Sequence, residues 1–188
     1  MPTMISALLL ALATAASPAR PPEWAVPLKL KGAGNLHRVN DSLYRCQQPT
    51  REGMRSLVDS LHIRTVINLR AFHSDRKLVK GMDLRLEELD IKTWKIDDDD
   101  VIAALRIIRW GGKGPYLVHC LHGADRTGTV NAMYRMVFQG WTREQALKEM
   151  VDGGYGFHSM WKNILEYMAN VDVDKIRAAV EAPPQAGG

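Results

Sequence analysis

The residues His119-Cys120-Leu121-His122-Gly123-Ala124-Asp125-Arg126-Thr127-Gly128 place a thiol, a glycine and a guanidinium within one short stretch. Val118-His119 closes an apolar run and a helical pattern opens at Arg126, so Cys120 to Arg126 reads as a strand–loop–helix junction. Successive backbone N–H groups of a tight loop at a helix N-terminus form an anion cradle. Arg126 adds a planar fork able to hold two phosphate oxygens. The same positive surroundings favour the thiolate form of a cysteine. One loop therefore offers a nucleophile, Cys120, and a dianion site built on Leu121, His122, Gly123, Ala124, Asp125 and Arg126. That pairing suits phosphoryl transfer, where positioning and charge stabilisation supply most of the catalysis.

The elements around the loop must hold it. Leu36-His37-Arg38-Val39 and Leu43-Tyr44-Arg45-Cys46 flank Asn40-Asp41-Ser42 and read as two strands about a turn. A helix follows Pro49-Thr50, with Met54, Leu57, Val58 and Leu61 on one face. Thr65 to Leu69 reads as a buried strand. Residues 75–89 place Leu78, Val79, Met82 and Leu86 at helical spacing, and Ile91 to Ile96 reads as a further strand. Asp97 to Asp100 open a helix through Trp110, where acids suit the positive end of the helix dipole. Pro115 to His119 is the strand that enters the loop. Helices follow from Arg126, from a Thr142/Gln145 capping box, from Trp161 and over 172–181. Strands alternating with helices predict an α/β domain over residues 25–182, with a central, largely parallel sheet of about four to five strands flanked by helices.

The loop matches the C-x5-R signature of cysteine-dependent phosphatases. Four further segments resemble the bacterial dual-specificity and tyrosine-type members of that superfamily. These are Leu43-Tyr44-Arg45-Cys46-Gln47-Gln48-Pro49-Thr50, Val66-Ile67-Asn68-Leu69-Arg70, Met133-Tyr134-Arg135 with Gln139-Gly140-Trp141, and Gly153-Gly154-Tyr155-Gly156-Phe157. The resemblance spans roughly residues 35–172. It implies hydrolysis of phosphate monoesters of a protein or small molecule through a phosphocysteine on Cys120, with no cofactor or metal. It also implies that Thr127 hydrogen-bonds the sulfur and that His119 orders the loop.

The leaving oxygen needs a proton. Relatives take it from an Asp in the loop before the strand that enters the phosphate loop, where Trp94 stands here. Asp97 and Asp98, which come next, and Asp125 inside the loop are the alternatives, with a slight preference for the first two. Cys46 is read as a small buried side chain, or as a thiol able to pair with Cys120. Arg70, His73 and Arg76 lie at the sheet edge that hosts sites in such folds, and His158 follows a glycine-rich loop. An inositol phosphate or phospholipid phosphatase, and a phosphate-binding pseudophosphatase, are the competing readings. The first is disfavoured because the loop offers only His122 as an added cation and offsets it with Asp125.

The chain has 188 residues, 46% of them hydrophobic and 24% charged, with a formal charge of +4. That balance is ordinary for one globular domain and too mild to imply nucleic-acid binding. Two cysteines cannot build a disulfide framework. The apolar run Ile5 to Ala16, the Ala13-Thr14-Ala15 pattern and the prolines at 18, 21 and 22 read as a signal peptide over residues 1–19. It predicts a periplasmic or secreted protein with no stable membrane insertion once the segment is removed. Residues 183–188 form a Pro/Gly/Ala-rich flexible tail.

Overall fold

The computed structural model describes residues 20–184; the segment 1–19, read above as a signal peptide, and residues 185–188 of the tail lie outside the described residues. Its strands are β1 (Val26–Pro27), β2 (His37–Asn40), β3 (Leu43–Cys46), β4 (Thr65–Asn68), β5 (Arg85–Glu88) and β6 (Tyr116–His119). Its helices are α1 (Arg51–Leu61), α2 (Arg76–Val79), α3 (Asp98–Trp110), α4 (Asp125–Phe138), α5 (Arg143–Asp152), α6 (Lys162–Asn170) and α7 (Val173–Glu181). One sheet runs in the order β1-β2-β3-β6-β4-β5. The β3–β6, β6–β4 and β4–β5 pairs are parallel, while β1–β2 and β2–β3 are antiparallel.

Period-two alternation divides the core between the two faces of this sheet. Tyr44, Cys46, Val66 and Leu117 face Met54 and Leu57 of α1. Leu43, Ile67, Tyr116 and Val118 face the larger layer, which takes Leu105 from α3, Met133 from α4, Met150 from α5, Met168 from α6 and Ile176 from α7. β6 lies between β3 and β4, and all its residues are buried. A strand covered on both faces and both edges is the most rigid place from which to launch a reactive loop.

Local signals set several boundaries. Thr50 caps α1 by accepting from Gly53 N at 3.0 Å. Thr142 and Gln145 form the reciprocal capping box of α5. Asp97 and Asp100 form one at α3.

Two expectations are corrected. The helical spacing over residues 75–89 yields only the short α2, and the chain then turns at Gly81, φ 81°. Beyond it Leu84 and Leu86 alternate inward onto the α1 layer, and Arg85–Glu88 joins β4 as the edge strand. Charged residues are tolerated there because an edge faces water. Ile91 to Ile96 is not a strand: β5 holds the edge, and a 3-10 turn covers Thr93–Lys95 between the buried Ile91 and Ile96. With the short β1 added, the sheet has six strands rather than four or five.

A buried polar cluster fastens α4, α5 and the segment after α5 together. Glu149 of α5 receives Arg135 of α4 at both oxygens, Nη2 at 2.8 Å on Oε1 and Nε at 2.8 Å on Oε2. The Tyr155 hydroxyl donates to Oε1 at 3.0 Å and Ala25 N at 2.6 Å. Burial alone would raise the Glu149 pKa, but the Arg135 hydrogen bonds and charge hold it below the usual carboxylate range. His37 packs edge-on against Tyr155 at 4.7 Å, with Nδ1 3.1 Å from Asn35 O. Burial, reinforced by Arg45 and Arg20, lowers the His37 pKa from 6.5 to about 4 against the opposing pull of the Asn35 carbonyl and Glu149.

Glu149→Ala strands the Arg135 charge in the core and should cost about 3–5 kcal/mol, read as a lower urea midpoint. His37 is harder to protonate folded than unfolded. Its contribution is complete above the unfolded value of 6.5 and is lost as the pH falls toward about 4. Urea midpoints taken between about pH 7 and pH 5 should fall on acidification, and His37→Gln should remove up to roughly 2 kcal/mol of that change.

Candidate active site

The loop from Cys120 to Ala124 joins β6 to α4, and its carbonyls are turned outward and bound. Gln48 N donates to Leu121 O at 3.1 Å, and Asn35 Nδ2 donates to His122 O at 2.9 Å. Arg45 Nη2 donates to Gly123 O at 2.7 Å. Carbonyls held from outside are kept out of an anion's way, as an N–H cradle needs. Gly123 has φ 68°, and a Cβ there would lie 2.5 Å from the Cys46 carbonyl, so only glycine fits this turn.

Behind the loop lies a pair of fully buried groups. His119 Nε2 stands 2.7 Å from Asp75 Oδ2, close in distance but off the line of a well-directed hydrogen bond. Asp75 Oδ1 accepts from Gln48 Nε2 at 2.9 Å and faces His73 Nε2 at 3.2 Å. Burial alone would raise the Asp75 pKa; the adjacent His119, the Gln48 hydrogen bond and the nearby His73 outweigh it and hold it low. Gln48 also accepts from Arg70 Nη1 at 2.8 Å, so one residue joins the loop through its backbone N–H and the buried acid and Arg70 through its side chain.

A cleft of about 240 Å³ opens over the loop, lined by Thr93, Leu121, His122, Asp125, Arg126, His158, Met160 and Trp161. Arg126 Nη1 donates to Leu69 O at 3.3 Å and to Ile91 O at 3.2 Å, which fixes one edge of its guanidinium. Its Nε is buried with no partner among the described residues. Asp125 is buried, and His158 engages it through backbone N at 2.9 Å on Oδ1 and ring Nδ1 at 2.9 Å on Oδ2. The His122 ring lies 5.0 Å from that of His158. His122, Asp125 and His158 bring one ligand atom each within 4.8 Å of one another, and the hydrogen bonds between the last two account for their closeness.

The structure thus brings Cys120, Arg126, Asp125 and His158 to one junction and assigns other work to several expected residues. Asp97 caps α3, and Asp98 accepts from Tyr167 at 3.2 Å and Lys175 at 2.8 Å; neither lines the cleft. Thr127 Oγ1 is buried without a hydrogen-bond partner, so the expected bond to the Cys120 sulfur is not made. Arg76 turns away to Glu88 at 3.1 Å, and Arg70 and His73 face Gln48 and Asp75 rather than the cleft. Cys46 is the register partner of His119, so its side chain shares the α1 face of the sheet, while Cys120 packs on the other. Both thiols are free, and Cys46 is a core side chain whose pKa burial pushes well up. Sequence reasoning missed Asp75, Asn35 and the clamping role of Arg45. The one signal for Asp75 was an acid in the loop between β4 and α2, overshadowed by its neighbours His73 and Arg76.

The chain is similar to known proteins. The family model for the Swiss Army Knife protein DSP-PTPase phosphatase domain, PTP-SAK, matches residues 20–164. The dual specificity protein phosphatase TpbA of Pseudomonas aeruginosa is 34% identical over 162 residues, which cover 86% of this chain and 72% of that protein. The crystal structure of a Cys-to-Ser variant of TpbA in complex with pTyr superposes with a TM-score of 0.78 at 32% identity, covering 88% of this chain and all of that one. The core catalytic domain of a PP-IP phosphatase from S. cerevisiae, at 19% identity, shares the fold with a TM-score of 0.67, covering 80% and 93% of the two chains. The chain therefore belongs to the DSP-PTPase phosphatase family and is a cysteine-dependent phosphatase.

Proposed function

We propose that this protein is an exported phosphatase for aryl phosphate monoesters, phosphotyrosine foremost, with Cys120 as its nucleophile. The observation that carries the reading is the loop itself, clamped through its carbonyls between Cys120 and Arg126 beside a cleft walled by Leu121, Met160 and Trp161. The apolar wall suits a phenyl ring, and the likeness to TpbA bound to pTyr supports the same class. A polyphosphorylated ring would want several cations, whereas the cleft offers Arg126 and two histidines, one of them already bonded to Asp125.

The Cys120 thiolate attacks phosphorus in line, the P–S bond forms and the P–O bond breaks. Water then attacks the phosphocysteine, the P–S bond breaks and inorganic phosphate leaves. Arg126 and the loop N–H groups hold the equatorial oxygens in both steps. His119, pinned by Asp75, keeps the base of the loop in register. Of the carboxyls considered for the proton, Asp125 is the one at the cleft, and Asp97 and Asp98 serve α3 and its docking against α6 and α7. Export follows from the apolar run Ile5 to Ala16 and its Ala-rich end.

With reductant and EDTA present, the protein should hydrolyse p-nitrophenyl phosphate. Cys120→Ser should abolish turnover yet still bind phosphotyrosine, and Arg126→Lys should lower kcat/KM by about 100-fold or more through loss of the bidentate fork. Absence of turnover by the reduced wild type sinks the reading. Export is checked by cell fractionation and by the N-terminal residue of the product, which should lie close to position 20.

A further inference from the structure

Asp125 is badly placed to give up a proton itself. It is buried, and both carboxylate oxygens already accept from His158, one from the backbone N–H and one from ring Nδ1. A carboxylate facing Nδ1 selects the tautomer with the proton on that nitrogen, and leaves Nε2 as the nitrogen that can exchange a proton elsewhere. The imidazole lines the same cleft as Arg126 and Leu121. Asp125 opens α4 directly after the phosphate loop, so the pair sits at the mouth of the anion site rather than on a distant surface.

The segment that carries His158 is tied to the loop at two further points. Asn35 Nδ2 donates both to His122 O at 2.9 Å and to Tyr155 O at 2.8 Å, so one amide spans the loop and the segment. Arg45, which holds Gly123 O, lies 3.6 Å over the Tyr155 ring. Tyr155 is anchored in turn to Glu149. Gly154 and Gly156, φ 76° and 78°, bend the chain on either side of Tyr155 and bring His158 round to Asp125. This bracing fixes His158 against the loop, which a catalytic group needs and a solvent-facing histidine does not.

We propose that His158 is the general acid and base of this phosphatase, with Asp125 as its positioning residue. The assignment rests on the phosphatase reading above. In the first step the P–O bond breaks, the leaving oxygen takes the proton from Nε2 of the His158 imidazolium, and neutral His158 keeps its Nδ1–H on Asp125. In the second step Nε2 takes a proton from the attacking water as the P–S bond breaks, and the Cys120 thiolate and the imidazolium are both restored. This takes the place of an acid at position 94, in the 3-10 turn between β5 and α3, where the exposed Trp94 stands.

The test compares a good and a poor leaving group in the full chain. His158→Asn retains an N–H near Nδ1 for Asp125 but has no Nε2. With p-nitrophenyl phosphate, kcat/KM should fall by less than about 5-fold. With phenyl phosphate, whose leaving oxygen needs the proton, it should fall by about 100-fold or more. His158→Ala should show the same split, and added imidazole should recover part of the phenyl phosphate rate. Asp125→Asn should show a smaller split of the same kind, and Asp97→Asn none. Equal losses on both substrates with no imidazole recovery would reduce His158 to a structural role. A split in Asp125→Asn or Asp97→Asn without one in His158→Asn would hand the proton to that carboxyl. Loss of Cys120-dependent turnover in the wild type would instead overturn the underlying phosphatase reading, which the p-nitrophenyl phosphate arm detects separately.

Discussion

A short loop that is to cradle an anion with its N–H groups must send its carbonyls outward, into the protein, where an unpaired one costs about 1–3 kcal/mol. Everything around this site follows from that constraint. Arg45 is 2% exposed, an expensive place for a guanidinium, yet it is the donor that reaches Gly123 O from β3. Gln48 and Asn35 meet the other two carbonyls from the segments that flank β2 and β3. The antiparallel end of the sheet therefore does more than extend the core, because it delivers the donors that keep the anion cradle open before any anion arrives.

The same donors explain why the buried polar groups form a connected set. Arg45 stacks on Tyr155, Tyr155 donates to Glu149, and Glu149 neutralises Arg135. On the opposite side Gln48 passes from Leu121 O to Asp75, which braces His119 below Cys120. Each member lowers the desolvation cost of the next, so a buried network is tolerable where a single buried ion is not. The network also lies on both sides of the loop, which resists tilting of the nucleophile toward either layer of the core.

What could be read from the chain was local. Cys120 and Arg126 are close in sequence and joined by a loop whose strand and helix announce themselves, and the caps at Thr50 and Thr142 depend on residues three positions away. The clamps are not local. Asn35 reaches residues 87 and 120 positions distant, and Arg45 reaches one 78 away. Nothing in residue type distinguishes such an asparagine or arginine from a solvated one until the sheet order places β3 beside β6. The error over residues 75–89 has another cause: Leu78, Val79, Met82 and Leu86 satisfy a helical period, while the strand period of Leu84 and Leu86 is too short to compete. Only pairing with β4 decides between them, and that pairing is a tertiary fact.

The proposed proton site at His158 is served from another wall of the cleft without disturbing the nucleophile. The two functions hang on different supports. Cys120 and Arg126 are held by β6, by the carbonyls of Leu69 and Ile91, and by the clamped loop, none of which involves residues 93–98. The stretch before α3 is therefore free to become a 3-10 turn and a helix cap. Asp125 and His158 come from the start of α4 and from the segment after α5, which was already fastened to the loop through Asn35 and Tyr155. A donor placed there needs no new element, only a carboxylate at the first turn of α4 and an imidazole within its reach. Separating the oxyanion site from the proton site in this way lets one scaffold keep its phosphate chemistry while the leaving group is served from a different wall of the cleft.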